Sequence, residues 1–111
     1  MTLWRCGVCG YLHDGDDAPD KCPKCGAPKE KFSRVSDEEA ALITKARKTN
    51  YLHMKLTRFL VKIRKYAEAG IHENLDPACV SIFNRIVKDS HENYQSILAE
   101  LETHMKKKKW G

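Results

Sequence analysis

A chain of 111 residues can form one ordinary domain or two very small ones, and 41% apolar with 32% charged residues excludes a disordered or fibrous polymer. No apolar run nears the roughly 20 residues of a bilayer-crossing helix, and Met1 leads into Trp4, Arg5 and Cys6 without an apolar leader core, so the expected location is the cytoplasm. The net charge of +5 is uneven, with six Lys/Arg against five Asp/Glu in residues 1–36 and fourteen against ten in residues 37–111.

Up to Phe32 the chain is rich in Gly, Pro, Asp and Cys, a texture of turns and short extended pieces. Its cysteines form two close pairs, Cys6 with Cys9 and Cys22 with Cys25, twelve residues apart. In a reducing compartment this pattern means metal rather than disulfides. Two residues between cysteines let a tight turn aim both sulfurs at one point, and two such knuckles supply the four corners of a tetrahedron. Gly10 and Gly26 each follow the second cysteine of a pair, where positive φ turns backbone amides toward the sulfurs. A domain of about 36 residues buries too little apolar surface to fold alone, so metal binding and folding are expected to be one event. Tetrahedral sulfur suits zinc or iron.

After Phe32 the pattern becomes helical. Ser36 and Glu39 read as a capping box, which starts a helix at Asp37. Leu42, Ala46, Leu52, Leu56, Phe59, Leu60, Ile63, Tyr66 and Ala67 then recur at the spacing of a buried stripe. Gly70 reads as the left-handed terminating residue, and Asp76 and Pro77 as cap and first turn of a second helix. That helix repeats the pattern through Val80, Phe83, Ile86, Val87, Tyr94, Ile97, Leu98, Leu101 and Met105. The expected architecture is thus α plus a small metal-stabilised β/loop domain. The metal domain spans 1–36. An antiparallel two-helix hairpin spans 37–111, with helices at about 37–69 and 77–108, and dimerises into a four-helix bundle.

Lys45 to Lys65 holds eight basic residues and no acidic one. This is a solvated helical face, or a docking surface for an acidic partner through Lys55, Arg58, Lys62 and Lys65. A turn near Glu73 would bring His53 level with His91 to Tyr94, where two boundary histidines or a second metal site are the options. Cys79 falls in the first turn of the second helix, as a small buried group or a reactive thiol. The lysines from Lys106 to Lys109 favour a helix C-terminus followed by a frayed tail. They are few for nucleic acid and hold no interleaved aromatics, so no nucleic-acid partner is expected.

The stretch from Trp4 to Tyr11, with Ala18-Pro19, Cys22 to Lys29 and Phe32, closely resembles the rubredoxin-like domain of rubrerythrin. The resemblance covers the N-terminal third. It implies one iron (Fe3+/Fe2+) on Cys6, Cys9, Cys22 and Cys25, beside a small core of aromatic residues such as Trp4, Tyr11 and Phe32. It also implies rubredoxin-like one-electron transfer with a redox protein as donor or acceptor. The helices lack the rest of rubrerythrin's equipment. No Glu-x-x-His occurs in residues 37–111, so di-iron peroxide chemistry is not implied and the chain by itself is not expected to be an enzyme. Knuckles of this kind sit near the surface, which makes Val8 and Lys24 the thin wall that a partner would touch. The alternative is a zinc-ribbon adaptor with a purely structural metal, whose basic helices bind protein or nucleic acid.

Overall fold

The computed structural model describes residues 2–111. Three short strands, β1 (Leu3–Cys6), β2 (Leu12–Asp14) and β3 (Phe32–Arg34), make an antiparallel sheet in the order β2-β1-β3. Trp4 stands opposite both His13 and Arg34, and Cys6 opposite Phe32, so the first cysteine leaves the sheet at the end of its central strand. Two helices follow, α1 (Asp37–Glu73) and α2 (Pro77–Lys106).

The chain packs as two compact units. One runs to Arg47 and includes Lys107–Gly111; the other is Lys48–Lys106. In the first unit, Leu3 from the sheet, Val35, and Ala40 and Ile43 from α1 form the buried core, with Leu12 packed against it. The first turns of α1 therefore belong to this core. The Ser36 hydroxyl accepts the Glu39 amide at 3.2 Å, as the capping box requires. The reciprocal arm is redirected: the Glu39 carboxylate accepts from Arg5 of β1 at 2.9 Å.

In the second unit Ala67 of α1 and Ile97 and Leu101 of α2 are buried as the apolar pattern expects, but the helices also touch through residues that it did not select. Asn50 is 4% exposed and hydrogen-bonded to His104 at 2.5 Å; Arg64 donates to Nδ1 of His91 at 2.8 Å; Ser90 is buried. Gly70 does not end the first helix. α1 runs through it to Glu73, and Asn74 takes the left-handed turn at φ 51°. Gly70 serves packing instead, because a Cβ there would collide with the Phe83 ring. The second start signal holds: the Asp76 carboxylate caps the Cys79 amide at 2.8 Å, and Pro77 opens α2.

The periodic stripe of α1 is largely uncovered. Ala46 and Ala67 are buried, but Leu42, Leu52, Leu56, Ile63, Phe59 (59% exposed) and Tyr66 (75%) face solvent. Small residues let two backbones approach closely: α1 meets α2 through small and polar positions such as Asn50, Ala67 and Gly70, and most of its own large apolar residues stay exposed. No helix among the described residues is long and apolar enough to cross a membrane.

Candidate metal centre

The sheet and loops deliver the four cysteines to one point. β1 ends at Cys6, and its carbonyl accepts the Gly10 amide at 2.9 Å while its own amide donates to Tyr11 at 2.9 Å. The second knuckle repeats this: the Cys22 carbonyl accepts from Gly26 at 2.8 Å and its amide donates to Ala27 at 2.8 Å. Gly10 and Gly26 hold φ of +80° and +76°, with open space where a Cβ would stand. Backbone conformation, not crowding, therefore demands glycine at both.

The four sulfurs lie within 4.8 Å of one another, with Sγ separations of 3.7 Å between Cys6 and Cys25 and 3.5 Å between Cys9 and Cys22. Disulfide sulfurs stand about 2.05 Å apart. The edge of a tetrahedron around one ion with metal–sulfur bonds of about 2.3 Å is roughly 3.8 Å, which these separations approach. Among the described residues this is the only group of three or more Cys, His, Asp or Glu placed to share an ion.

Electrostatics agree with that donor set. The backbone N–H groups of Cys9 and Val8, with neighbouring thiols, outweigh burial and lower the Cys6 thiol. Burial pushes the Cys22 thiol up, but the N–H groups of Cys25 and Lys24 and the Cys9 thiol bring it down to about 7. At Cys25 the Ala27 N–H pulls down, while burial and the thiols of Cys9, Cys22 and Cys6 push the group up to about 12. Amide dipoles stabilise the first thiolates, and their negative charge resists the last. A cation at the centre supplies what the amides do not, so the residues fit a tetrathiolate metal.

The sequence profile described as "Rubrerythrin, rubredoxin-like domain" matches residues 4–33. Rubredoxin-2 of Desulfovibrio desulfuricans is 38% identical over 57 aligned positions that cover 34% of this chain and 92% of that protein. The chain belongs to the rubredoxin-like family. Its match to Rubredoxin-2 spans more positions than this chain contributes, in keeping with a shorter stretch between the cysteine pairs. Reverse rubrerythrin-1 of Clostridium acetobutylicum is 58% identical over 38 residues, which are 34% of this chain and 21% of that protein. Rubrerythrin of Nitratidesulfovibrio vulgaris is 55% identical over 31 residues, 28% of this chain and 16% of that one. The chain thus spans only about a fifth or less of the rubrerythrins it matches. A rubredoxin-like domain with a four-cysteine site supports a metal-binding or electron-transfer role.

The other singled-out residues are distributed as follows. Trp4, Tyr11 and Phe32 are half-buried, and the Trp4 indole donates to the Gly15 carbonyl at 3.2 Å. Val8 is 63% exposed, and Lys24 and Cys25 are exposed, whereas Cys6 and Cys22 are buried. Lys55, Arg58 and Lys62 line one surface hollow with Phe59; Lys65 lies in another, beside Glu68 and His91. Cys79 is half-buried. His53 and His91 are not level. His91 is taken by Arg64, eleven residues further along α1 and so roughly 16 Å from the His53 position. The chain reverses at 74–76, later than the turn near Glu73 assumed, and the register shifts with it. Sequence reasoning missed Trp110. It is half-buried and lines a cavity with Cys9 and Lys24, where a frayed tail had been expected.

Proposed function

We propose that this protein carries single electrons on one iron held by Cys6, Cys9, Cys22 and Cys25, in the reducing cytoplasm. The observation that carries the reading is the closed donor set: four thiol sulfurs surround one point, which leaves no position for substrate. Iron in such a site supplies one-electron exchange. The chain's part is to hold the sulfurs, offer amide dipoles to their charge and keep a corner near the surface. Relatives named rubredoxin support electron transfer over a purely structural metal.

The experiment is metal analysis with a visible spectrum after anaerobic purification from iron-replete cells. One iron per chain and a red, thiolate-to-iron charge-transfer spectrum are expected. A full complement of zinc with no visible band would overturn the iron reading and favour the zinc-ribbon adaptor.

The hairpin, in this reading, serves docking and dimerisation. Leu52, Leu56, Phe59, Ile63 and Tyr66 follow one another at steps of four, three, four and three, the spacing of a coiled-coil seam, and all are exposed. A second copy is the occupant that charge favours. α1 is wholly basic from Lys45 to Lys65, whereas α2 from Asp89 to Met105 holds four acidic residues and no Lys or Arg. α1 of one copy beside α2 of the other pairs opposite charges; α1 beside α1 opposes like ones. Lys55, Arg58, Lys62 and Lys65 edge this surface and orient an acidic redox protein. Salt screens such attraction over about 8 to 10 Å. Reduction by an acidic redox protein is therefore expected to slow as salt rises, and to slow again when those four become Gln, with the visible spectrum unchanged. A rate indifferent to both changes makes the basic edge merely solubilising.

A further inference from the structure

The two knuckles are near copies in backbone, but their surroundings differ. Cys6 and Cys22 are buried, while the Cys9 and Cys25 corners approach the surface. Cys25 stands open. Cys9 faces a cavity of about 370 Å3, whose walls include Tyr11, Leu12 and Lys24 and, from the other end of the sequence, Trp110 and Gly111.

The segment after α2 is held there by more than one contact. Lys107–Gly111 packs in the same compact unit as the metal domain. Arg47 forks onto the Asp14 carboxylate at 2.7 Å through each terminal nitrogen, and its Nε donates to the Gly111 carbonyl at 2.5 Å. Gly111 sits so close to Leu12 that a Cβ would collide, and its φ of +116° suits glycine. Together these place the half-buried Trp110 at the wall of the Cys9 cavity.

We infer that Trp110 caps the Cys9 corner by walling its cavity, limiting the approach of water and small solutes from that side and leaving the Cys25 corner as the face through which electrons pass. The potential arm rests on the iron reading above; the metal-retention arm holds for either metal. Reduction adds one negative charge to a centre already ringed by thiolates, and apolar surroundings disfavour the more highly charged form. Removing the indole widens the cavity and admits more water beside Cys9, which favours the reduced state. It also opens a path for a competing ligand to reach a metal-bound sulfur. Trp110 is thus a positioning residue.

The test compares the 111-residue protein with Trp110→Ala and Trp110→Phe. Metal loss to a strong chelator is expected to be several-fold faster in Trp110→Ala and near the parent rate in Trp110→Phe. The midpoint potential of the iron form is expected to rise in Trp110→Ala, which a role confined to stability would not produce. In a Trp4→Phe background Trp110 is the single remaining tryptophan, and its emission is expected to be quenched on iron loading. Unchanged release and midpoint in Trp110→Ala, or emission that ignores loading, would overturn the cap. If the protein holds only zinc, the iron reading fails, yet faster release in Trp110→Ala still upholds the cap; if it holds iron, unchanged release and midpoint sink the cap alone.

Discussion

Cys25→Ser is expected to lose the metal and, with it, the ordered knuckles, while both helices persist. Cys25 is exposed, and serine nearly preserves its volume, so the substitution removes a ligand without opening a core cavity. The sheet contributes three strands of three or four residues around a small apolar cluster. Metal binding in comparable small sites contributes about 10 to 16 kcal/mol to folding, more than such a cluster provides. The variant should contain well under one metal per chain, become sensitive to protease within residues 1–36, and keep most of its helical circular dichroism. Cys9→Ser should behave alike. A full metal equivalent retained by either variant would contradict the tetrathiolate assignment. The parent protein should also show proton-linked loading. Against the pull of the Ala27 N–H, burial and the neighbouring thiols push Cys25 up to about 12, so at pH 7 it carries a proton that must leave as the metal enters. Loading therefore strengthens as pH rises and is lost as pH falls.

Phe59→Glu is expected to turn a dimer into a monomer. Phe59 stands mid-seam among Leu52, Leu56, Ile63 and Tyr66, and full burial of each such side chain is worth about 1.5 to 3 kcal/mol. A glutamate there must be desolvated or keep the seam open. Sedimentation of the parent should give twice the 12.7 kDa chain mass, and the variant the single mass, with the metal spectrum the same in both. Because α1 is already solvated at this position, the substitution tests association rather than folding. A parent protein that is monomeric at high micromolar concentration would remove the bundle.

The metal site was legible because its information is local. Cys-x-x-Cys and the glycine that follows define a knuckle through covalent spacing and one φ value, and neither needs knowledge of the rest of the chain. The helix starts at Ser36 and Asp76 were legible for the same reason. What the pattern concealed was choice of partner. The spacing of Leu52, Leu56, Phe59 and Ile63 says that a face requires cover, but not whether α2 or another molecule supplies it. Asn50 and Gly70, polar and small, gave no apolar signal, yet they line the helix contact. Gly70 followed by Ile71 fits a helix terminus as well as a close crossing, and only the position of Phe83 decides. Trp110 lay beyond a lysine run typical of fraying; Arg47 and Leu12, distant in sequence, are what hold its neighbour Gly111.

The core beneath the sheet is assembled from Leu3, Val35, Ala40 and Ile43, and the cavity beside Cys9 is walled in part by Trp110 and Gly111, beyond α2. The metal-binding unit is therefore discontinuous along the chain. A rubredoxin-like cassette copied into another gene and cut at residue 36 would arrive with Leu3 and Val35 uncovered. One cut at Arg47 would keep the core but lose the Trp110 side of the site. Shuffling of this module thus carries a cost that its cysteine motifs do not advertise: the recipient must supply an apolar helix start and a returning aromatic, or accept a more open metal.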